Sequence, residues 1–266
     1  MADIKLVVSD IDGTLVDKTE TIPQALIDAV HRCREAGITF ALATGRTAEL
    51  AAPFVKALNI DTPCIEGNGA FIRRGDVCLV EHGFSVAPVR EILKRADALS
   101  MTVTLADTSR ERAVRETDYV RYHQAMGGRF RELLPFSSID WENDRFQKVM
   151  IMDERRSGQI EEIRDLLKPY AGLYWITTFS DKAVELGPRD CNKATGVRDL
   201  TKILGIGMEN VMACGDYRND LEMLQQAGCG VAVDNALPEV KAVADYVATK
   251  PYALGVVEAL QRICHL

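Results

Sequence analysis

The sequence has no surplus of basic charge, no Cys-x-x-Cys pair and no apolar run near the ~18 residues that a membrane span requires. Lysine and arginine number 32 against 39 aspartate and glutamate, a formal charge of −7. Nucleic acid is therefore not an expected partner, because chains that bind it usually carry a basic face. An anionic small molecule stays open, since a local basic pocket or a bound cation is enough to hold one. No charged-then-apolar leader opens the chain, so neither membrane insertion nor export is expected. The seven cysteines are odd in number and mostly apolar in context, as in Met212-Ala213-Cys214. Buried free thiols in a reducing, cytoplasmic compartment account for them better than disulfides or a zinc site. Internal repeats and low-complexity tracts are also missing. What is present is globular: 266 residues, 47% hydrophobic and 27% charged, enough for one large or two medium domains.

The most informative stretch is Lys5-Leu6-Val7-Val8-Ser9-Asp10-Ile11-Asp12-Gly13-Thr14-Leu15. Ile4, Leu6, Val7 and Val8 predict a short strand buried on both faces. It ends at two carboxylates one residue apart, which alternation along an extended chain points to the same side. Convergent carboxylates repel unless a cation or a shared proton compensates. Gly13 allows a turn that brings backbone amides near an anion, and Thr14 is able to cap or hydrogen-bond locally. A strand-ending Asx turn or a fragment of a calcium loop fits the same letters. Against calcium, positions 14 and 21 are both threonine, where a loop needs further ligands.

A helical pattern then runs from Ile22-Pro23 to Gly37, followed by a buried strand over residues 38–43 that ends at Thr44-Gly45-Arg46. A helix through Leu50, Phe54 and Leu58 leads to a third short strand, Pro63-Cys64-Ile65-Glu66, ending at Gly67-Asn68-Gly69. This alternation predicts parallel βαβ units, with polar residues gathered where open α/β sheets bind ligands. From about Gly83 the pattern changes. A helix through Ile92 and Ala96, a strand at 101–105, an irregular Arg- and aromatic-rich stretch to Trp141, a strand at 147–152 and a helix at 160–167 follow in order. A strand pair, 174–178 and 183–186, is expected to join near Ser180-Asp181. Residues 83–187 therefore read as an α+β insert. Residues 1–82 and 188–266 form one discontinuous, Rossmann-like α/β core. Its second half holds a helix from Lys193 to Leu204, a strand at 211–214 ending in Gly215-Asp216, a helix through Leu221 and Leu224, a strand at 230–233, and helices at 236–243 and 255–263.

Four clusters fall at strand ends or helix starts of this core: Asp10 with Asp12, Thr44, Lys193, and Asp216 with Asn219 and Asp220. Singly, each has a plain explanation: an N-cap threonine, a solvated lysine, acidic first-turn residues of a helix. Together they supply a carboxylate nucleophile, an acid/base, a hydroxyl, a cation and carboxylates for a metal, which is the set phosphoryl transfer requires.

Asp10-Ile11-Asp12-Gly13-Thr14-Leu15, Thr44-Gly45-Arg46, Asn192-Lys193 and Gly215-Asp216-x-x-Asn219-Asp220-x-x-Met223 resemble, in order, the four motifs of the haloacid dehalogenase superfamily. The insert between the second and third resembles the large α/β cap of its Cof-type phosphatases. The resemblance spans the chain and implies a Mg²⁺-dependent hydrolase of small phosphomonoesters such as sugar phosphates. Its partner would be a small phosphorylated metabolite, and its cap would choose the substrate. Asp10 would then attack phosphorus and form an aspartyl phosphate, and Asp12 would act as acid and base. Thr44, Gly45, Lys193 and Asn219 would hold the phosphoryl group. Asp10, the backbone carbonyl of Asp12 and Asp216 would ligate Mg²⁺, with Asp220 supporting the metal from behind or orienting Lys193.

Arg46, Glu66, Asn68, Tyr122 and His123 are candidate substrate readers. Glu66 departs from the small or hydroxyl residue the pattern favours there, and an Arg/Tyr/His stretch in the insert (Arg110 to His123) equally fits a solvated basic face. A phosphomutase or phosphotransferase of the same fold, or a non-catalytic regulatory relative, are the alternatives. Nothing in the pattern specifies an oligomeric state.

Overall fold

The computed structural model describes residues 3–107, 110–127, 129–179 and 181–266. The chain divides into two compact units, Met1–Glu81 with Cys191–Leu266, and His82–Asp190. The enclosing unit opens with β1 (Leu6–Ser9), α1 (Gln24–Glu35), β2 (Thr39–Leu42), α2 (Ala48–Ala57), β3 (Cys64–Glu66), β4 (Phe71–Arg74) and β5 (Val77–Glu81). The inserted unit holds α3 (Arg90–Ala98), β6 (Thr102–Ala106), β7 (Glu111–Ala113), α4 (Asp118–Gly127), β8 (Lys148–Met152), α5 (Ile160–Leu167), β9 (Tyr174–Phe179) and β10 (Ala183–Pro188). The chain then returns through α6 (Lys193–Leu204), β11 (Val211–Gly215), α7 (Leu221–Gln226), β12 (Cys229–Ala232), α8 (Pro238–Val243), β13 (Tyr246–Val247) and α9 (Tyr252–Ile263).

The enclosing unit is built on a parallel sheet in the order β13-β12-β11-β1-β2. β1 and β11 are central, and their side chains are fully buried, as expected of continuous apolar strands covered on both faces. Gly205 closes α6 in the left-handed conformation (φ 66°), the role Gly serves after a helix. The third strand departs from expectation. β3 meets the parallel sheet only through a single bridge, Ala43 to Ile65, and instead pairs antiparallel with β4 in a separate β3-β4-β5 sheet. Three residues are too few for a full ladder, and Gly67-Asn68-Gly69 turns the chain straight back. The β4–β5 hairpin carries no clear signal in the sequence because its outer strand exposes Val77 and Leu79, which blurs the alternation.

The inserted unit is an antiparallel sheet, β7-β6-β8-β10-β9. Ile92 and Leu93 of α3 and Ile160 and Ile163 of α5 bury one of its faces, packing with Val103, Leu105, Val149, Ile151, Val184 and Leu186. β7 and α4 occupy the stretch that reads as irregular; α4 buries only Val120, so no apolar stripe marks it. Of the junction expected near Ser180-Asp181 between β9 and β10, Ser180 lies outside the described residues. The two ends of the insert are tied together inside it. Tyr174 pairs with Pro188 across β9–β10, while its hydroxyl donates to the Ser85 carbonyl at 2.8 Å and its ring lies 5.2 Å from that of Phe84.

Glu66 is buried at the end of β3, with Oε2 3.4 Å from Arg73 Nε on β4. Burial pushes its carboxyl up to about 7, with Arg73 opposing. Folding thus takes up a proton between the ordinary value of 4.5 and about 7, and the stability this group contributes at low pH is lost as pH rises through that window. Relative to Glu66→Gln, the wild type should lose stability from pH 4.5 to 7, by no more than ~3 kcal/mol, and level off above. Urea unfolding at pH 5, 6, 7 and 8 measures this, and a pH-independent difference would place the proton elsewhere.

Candidate active site

The carboxyl ends of β1, β2 and β11 are neighbours in the sheet, so residues 10–14, 44–46 and 215–220 emerge side by side. The Asp10 amide donates to Cys214 O at 3.0 Å and fixes the first of these segments to the last. α6 supplies the remaining charge. Asn192 caps it, accepting from the Thr195 amide at 2.9 Å while Thr195 Oγ1 accepts from the Asn192 amide at 3.0 Å. Its first turn packs against the Gly67-Asn68-Gly69 turn so closely that a Cβ on Gly69 (φ 97°) would lie 2.1 Å from Asn192 O. Only glycine permits that approach.

Lys193, the first residue of α6, is wholly buried, with Nζ 2.5 Å from Asp10 Oδ1 and 2.6 Å from Asp220 Oδ1. The other oxygen of Asp220 accepts two backbone amides, from Asp216 at 3.0 Å and Tyr217 at 3.1 Å. Asp216 Oδ1 accepts from the Thr14 hydroxyl at 2.7 Å. Gly13 (φ 87°) lies against this carboxylate, where a Cβ would be 2.3 Å from Oδ2, and its carbonyl accepts from Asn235 Nδ2 at 2.7 Å.

One oxygen from each of Asp10, Asp216 and Asp220 lies within 4.8 Å of the others. Three carboxylates share a buried site with one ammonium. Burial pushes Asp10 up to about 8 and Asp216 up to about 6, against the pull of Lys193 on the first and of Thr14 on the second. Burial also works against the charge of Lys193, but Asp10 and Asp220 outweigh it and hold the ammonium above its ordinary value. A hard dication fits this donor set, since it would return both strained carboxylates to their ionised form. Among the described residues no group donates to Asp10 Oδ2 or Asp216 Oδ2, whereas both oxygens of Asp220 are engaged.

Asp12 does not join the buried cluster. Its carboxylate is half-exposed and clamped at both oxygens by Arg46, which also reaches Glu20. Its charge is still close enough to contribute to the raised value of Asp216. Thr44 is buried, and its hydroxyl accepts from the Arg46 amide at 3.1 Å. Asn219 Nδ2 donates to Asn68 Oδ1 at 3.0 Å, and the Asn68 amide group packs over Gly45. Asp12, Thr44 and Asn219 thus follow the carboxyl ends of the neighbouring strands β1, β2 and β11.

The other candidate readers are Glu66, Tyr122 and His123. Glu66 turns to Arg73. Tyr122, exposed, and His123, whose ring centre lies 4.2 Å from that of Tyr119 in a tilted arrangement, belong to α4 of the inserted unit. Burial, aided by Arg129, lowers the His123 pKa. The four arginines of that stretch are paired: Arg110 with Glu132, Arg112 with Asp107, Arg115 with Asp97, and Arg121 with Glu116 and Asp118. Sequence reasoning missed Asn235 and Glu20, and gave Thr14 only a local role, whereas it bonds a residue 202 positions away. No local pattern marks any of the three.

A sequence profile of the haloacid dehalogenase-like hydrolases matches residues 7–260, and the chain belongs to that family. It is 30% identical over 259 residues to the 5-amino-6-(5-phospho-D-ribitylamino)uracil phosphatase YcsE of Bacillus subtilis, covering 97% of this chain and 95% of that protein. It is 28% identical to a phosphoglycolate phosphatase of Methanoculleus marisnigri, covering 97% of this chain and 96% of the relative. The fold matches the crystal structure of TM0651 from Thermotoga maritima with a TM-score of 0.85, at 19% identity and over 98% and 97% of the two chains. Within its family the chain is a Cof-type phosphatase, a hydrolase of phosphoric monoesters. No helix among the described residues is long and apolar enough to cross a membrane.

Lys193→Met would leave Asp10 and Asp220 buried without their shared counter-charge. It should lower stability by about 3–5 kcal/mol at neutral pH, the usual cost of stranding a buried ion. Urea midpoints of the two proteins measure the cost, and a difference below about 1 kcal/mol would show that the ammonium is not what holds these carboxylates.

Proposed function

We propose that the chain hydrolyses small hydroxyl-bearing phosphomonoesters, sugar phosphates and related metabolites, with Mg²⁺ and through an aspartyl phosphate on Asp10. The observation that carries this reading is the buried Asp10–Lys193–Asp220 bridge beside Asp216, at the carboxyl ends of a parallel sheet. The phosphatase names of YcsE and of the M. marisnigri relative support the substrate class.

Asp10 Oδ2 and Asp216 Oδ2, with the backbone carbonyl of Asp12, would hold the metal, and Asp220 would act from behind by fixing Lys193 and the residue 216–217 backbone. When bound, Mg²⁺ supplies positive charge against the phosphoryl oxygens and keeps Asp10 ionised. Asp10 attacks phosphorus in line while the ester oxygen departs. Lys193, the Thr44 hydroxyl, Asn219 and the Gly45 amide hold the phosphoryl oxygens as charge builds on them. Asp12, outside the buried cluster, protonates the leaving oxygen and then takes a proton from the water that cleaves the acyl phosphate. Arg46 and Asn68 are proposed to contact the leaving group, Glu66 to shape the strand end behind Asn68, and Tyr122 and His123 are the specificity candidates of the inserted unit. The seven free thiols support a cytoplasmic setting.

p-Nitrophenyl phosphate and a panel of hexose phosphates test the reading through phosphate release in water alone. Activity should vanish with EDTA and return with Mg²⁺. Asp10→Asn should retain less than about one part in a thousand of it. Acid quenching should trap a hydroxylamine-labile phosphate on the wild type. A wild type that turns over these esters without ever carrying such a group would defeat the nucleophile assignment.

A further inference from the structure

Asp12 is held at both of its carboxylate oxygens, with Arg46 Nε 2.8 Å from Oδ2 and Nη2 2.6 Å from Oδ1. The same Nη2 donates to Glu20 Oε1 at 2.5 Å. Nη1 lies 3.4 Å from Leu50 O, and the guanidinium sits 4.7 Å above the centre of the Phe54 ring. Arg46 thus has three anchors that do not involve Asp12. Glu20 reaches it from a turn with its own internal bracing. Asp17 Oδ1 accepts from both the amide and the hydroxyl of Thr19, and the Glu20 amide donates to Asp17 O at 3.1 Å. Glu20 itself adopts φ 54°, a region few residues with a side chain enter. A left-handed residue on a braced turn is a costly way to place a carboxylate, and here it meets the arginine that grips the proposed acid/base.

The geometry points to Glu20 as a positioning residue for the reaction, acting through Arg46 on Asp12. The inference rests on the reading of Asp12 as proton donor and acceptor. A two-point clamp occupies both Asp12 oxygens, yet a carboxyl group that delivers a proton must turn one oxygen toward the departing ester oxygen. When the Nε–Oδ2 contact opens, Glu20, Leu50 O and Phe54 keep the guanidinium in place, so Nη2 retains Oδ1 and the carboxyl stays aimed. In that step the bond from an Asp10 oxygen to phosphorus forms. The ester P–O bond breaks with its electron pair passing to the leaving oxygen, and that oxygen takes the proton from Asp12 Oδ2. Without Glu20, a long side chain gains rotamers and the donor is aligned for a smaller fraction of encounters.

Leaving-group dependence reads this directly. Nitrophenolate departs without a proton, whereas benzyl alkoxide needs one, and kcat/KM covers the steps through alcohol departure. Wild type, Glu20→Ala, Glu20→Gln, Arg46→Gln and Asp12→Asn are compared on p-nitrophenyl, phenyl and benzyl phosphate. Glu20→Ala should lose about 5–20-fold on benzyl phosphate but less than about twofold on p-nitrophenyl phosphate. Arg46→Gln should steepen the series further. Glu20→Gln keeps an acceptor for Nη2 and should stay within about twofold of wild type throughout. Glu20→Ala tracking wild type, or falling by one factor on all three esters, would overturn the inference, the second pattern being that of a merely structural residue. Asp12→Asn is the control on the underlying reading. If it leaves the series unsteepened, the acid/base assignment fails; if it steepens while Glu20→Ala does not, only the positioning role fails.

Discussion

A lysine ammonium with no exposure to solvent, wedged between Asp10 and Asp220, is the constraint that the rest of the enclosing unit serves. Removing three ions from water is tolerable only if each finds its partners at hydrogen-bond distance. The surroundings meet that demand in detail: two backbone amides on the far oxygen of Asp220, a capped helix that fixes the lysine backbone, and glycines where the helix start and the turn before β4 nearly touch. One ammonium against Asp10, Asp216 and Asp220 leaves the site short of positive charge. That shortage makes it receptive to a dication and unfriendly to a bare anion, so under the proposed function a phosphoryl group and a dication would stabilise each other there.

The parts of this arrangement that were legible in the sequence share a physical reason. Parallel strands buried on both faces read as unbroken apolar runs, and the polar residues that follow them mark the sheet edge where ligands bind. The pattern is unambiguous at Leu6, Val7 and Val8, and again from Val211 to Cys214, because no solvent face interrupts it. α6 was equally plain, bounded by Asn192 and Gly205. What stayed hidden depends on pairing across distance. β7 is three residues long, and its partner, not its composition, makes it a strand; β3 was legible as a strand, but its antiparallel pairing with β4 was not. Thr14 and Asn235 gain their roles from Asp216 and Gly13, far away in the chain.

Arginine shows the same limit from another side. In sequence, Arg110, Arg112, Arg115 and Arg121 form a basic stretch that invites an anionic ligand. In the fold each has a carboxylate partner, and those of Arg110 and Arg121 lie at exposed positions where such pairs are worth little and exchange readily. Arg46 has the opposite character. It is mostly buried, fork-like against Asp12, and backed by an aromatic ring. The number of arginines in a segment says less about anion recognition than how many bonds each has already committed.

The tie between Ser85 and Tyr174 bears on how such a chain can assemble at all. β1 must wait for β11, roughly two hundred positions later, before the central pair of its sheet exists. Were the intervening segment a disordered loop of roughly a hundred residues, closing it would cost about 2 kcal/mol more than closing one of roughly ten. Because Tyr174 bonds Ser85 and pairs with Pro188, an insert that has already collapsed on its own apolar interior delivers its entry and exit together. The insert then behaves kinetically as a short hairpin, and the late-arriving half of the sheet finds its place at the entropy of a small loop.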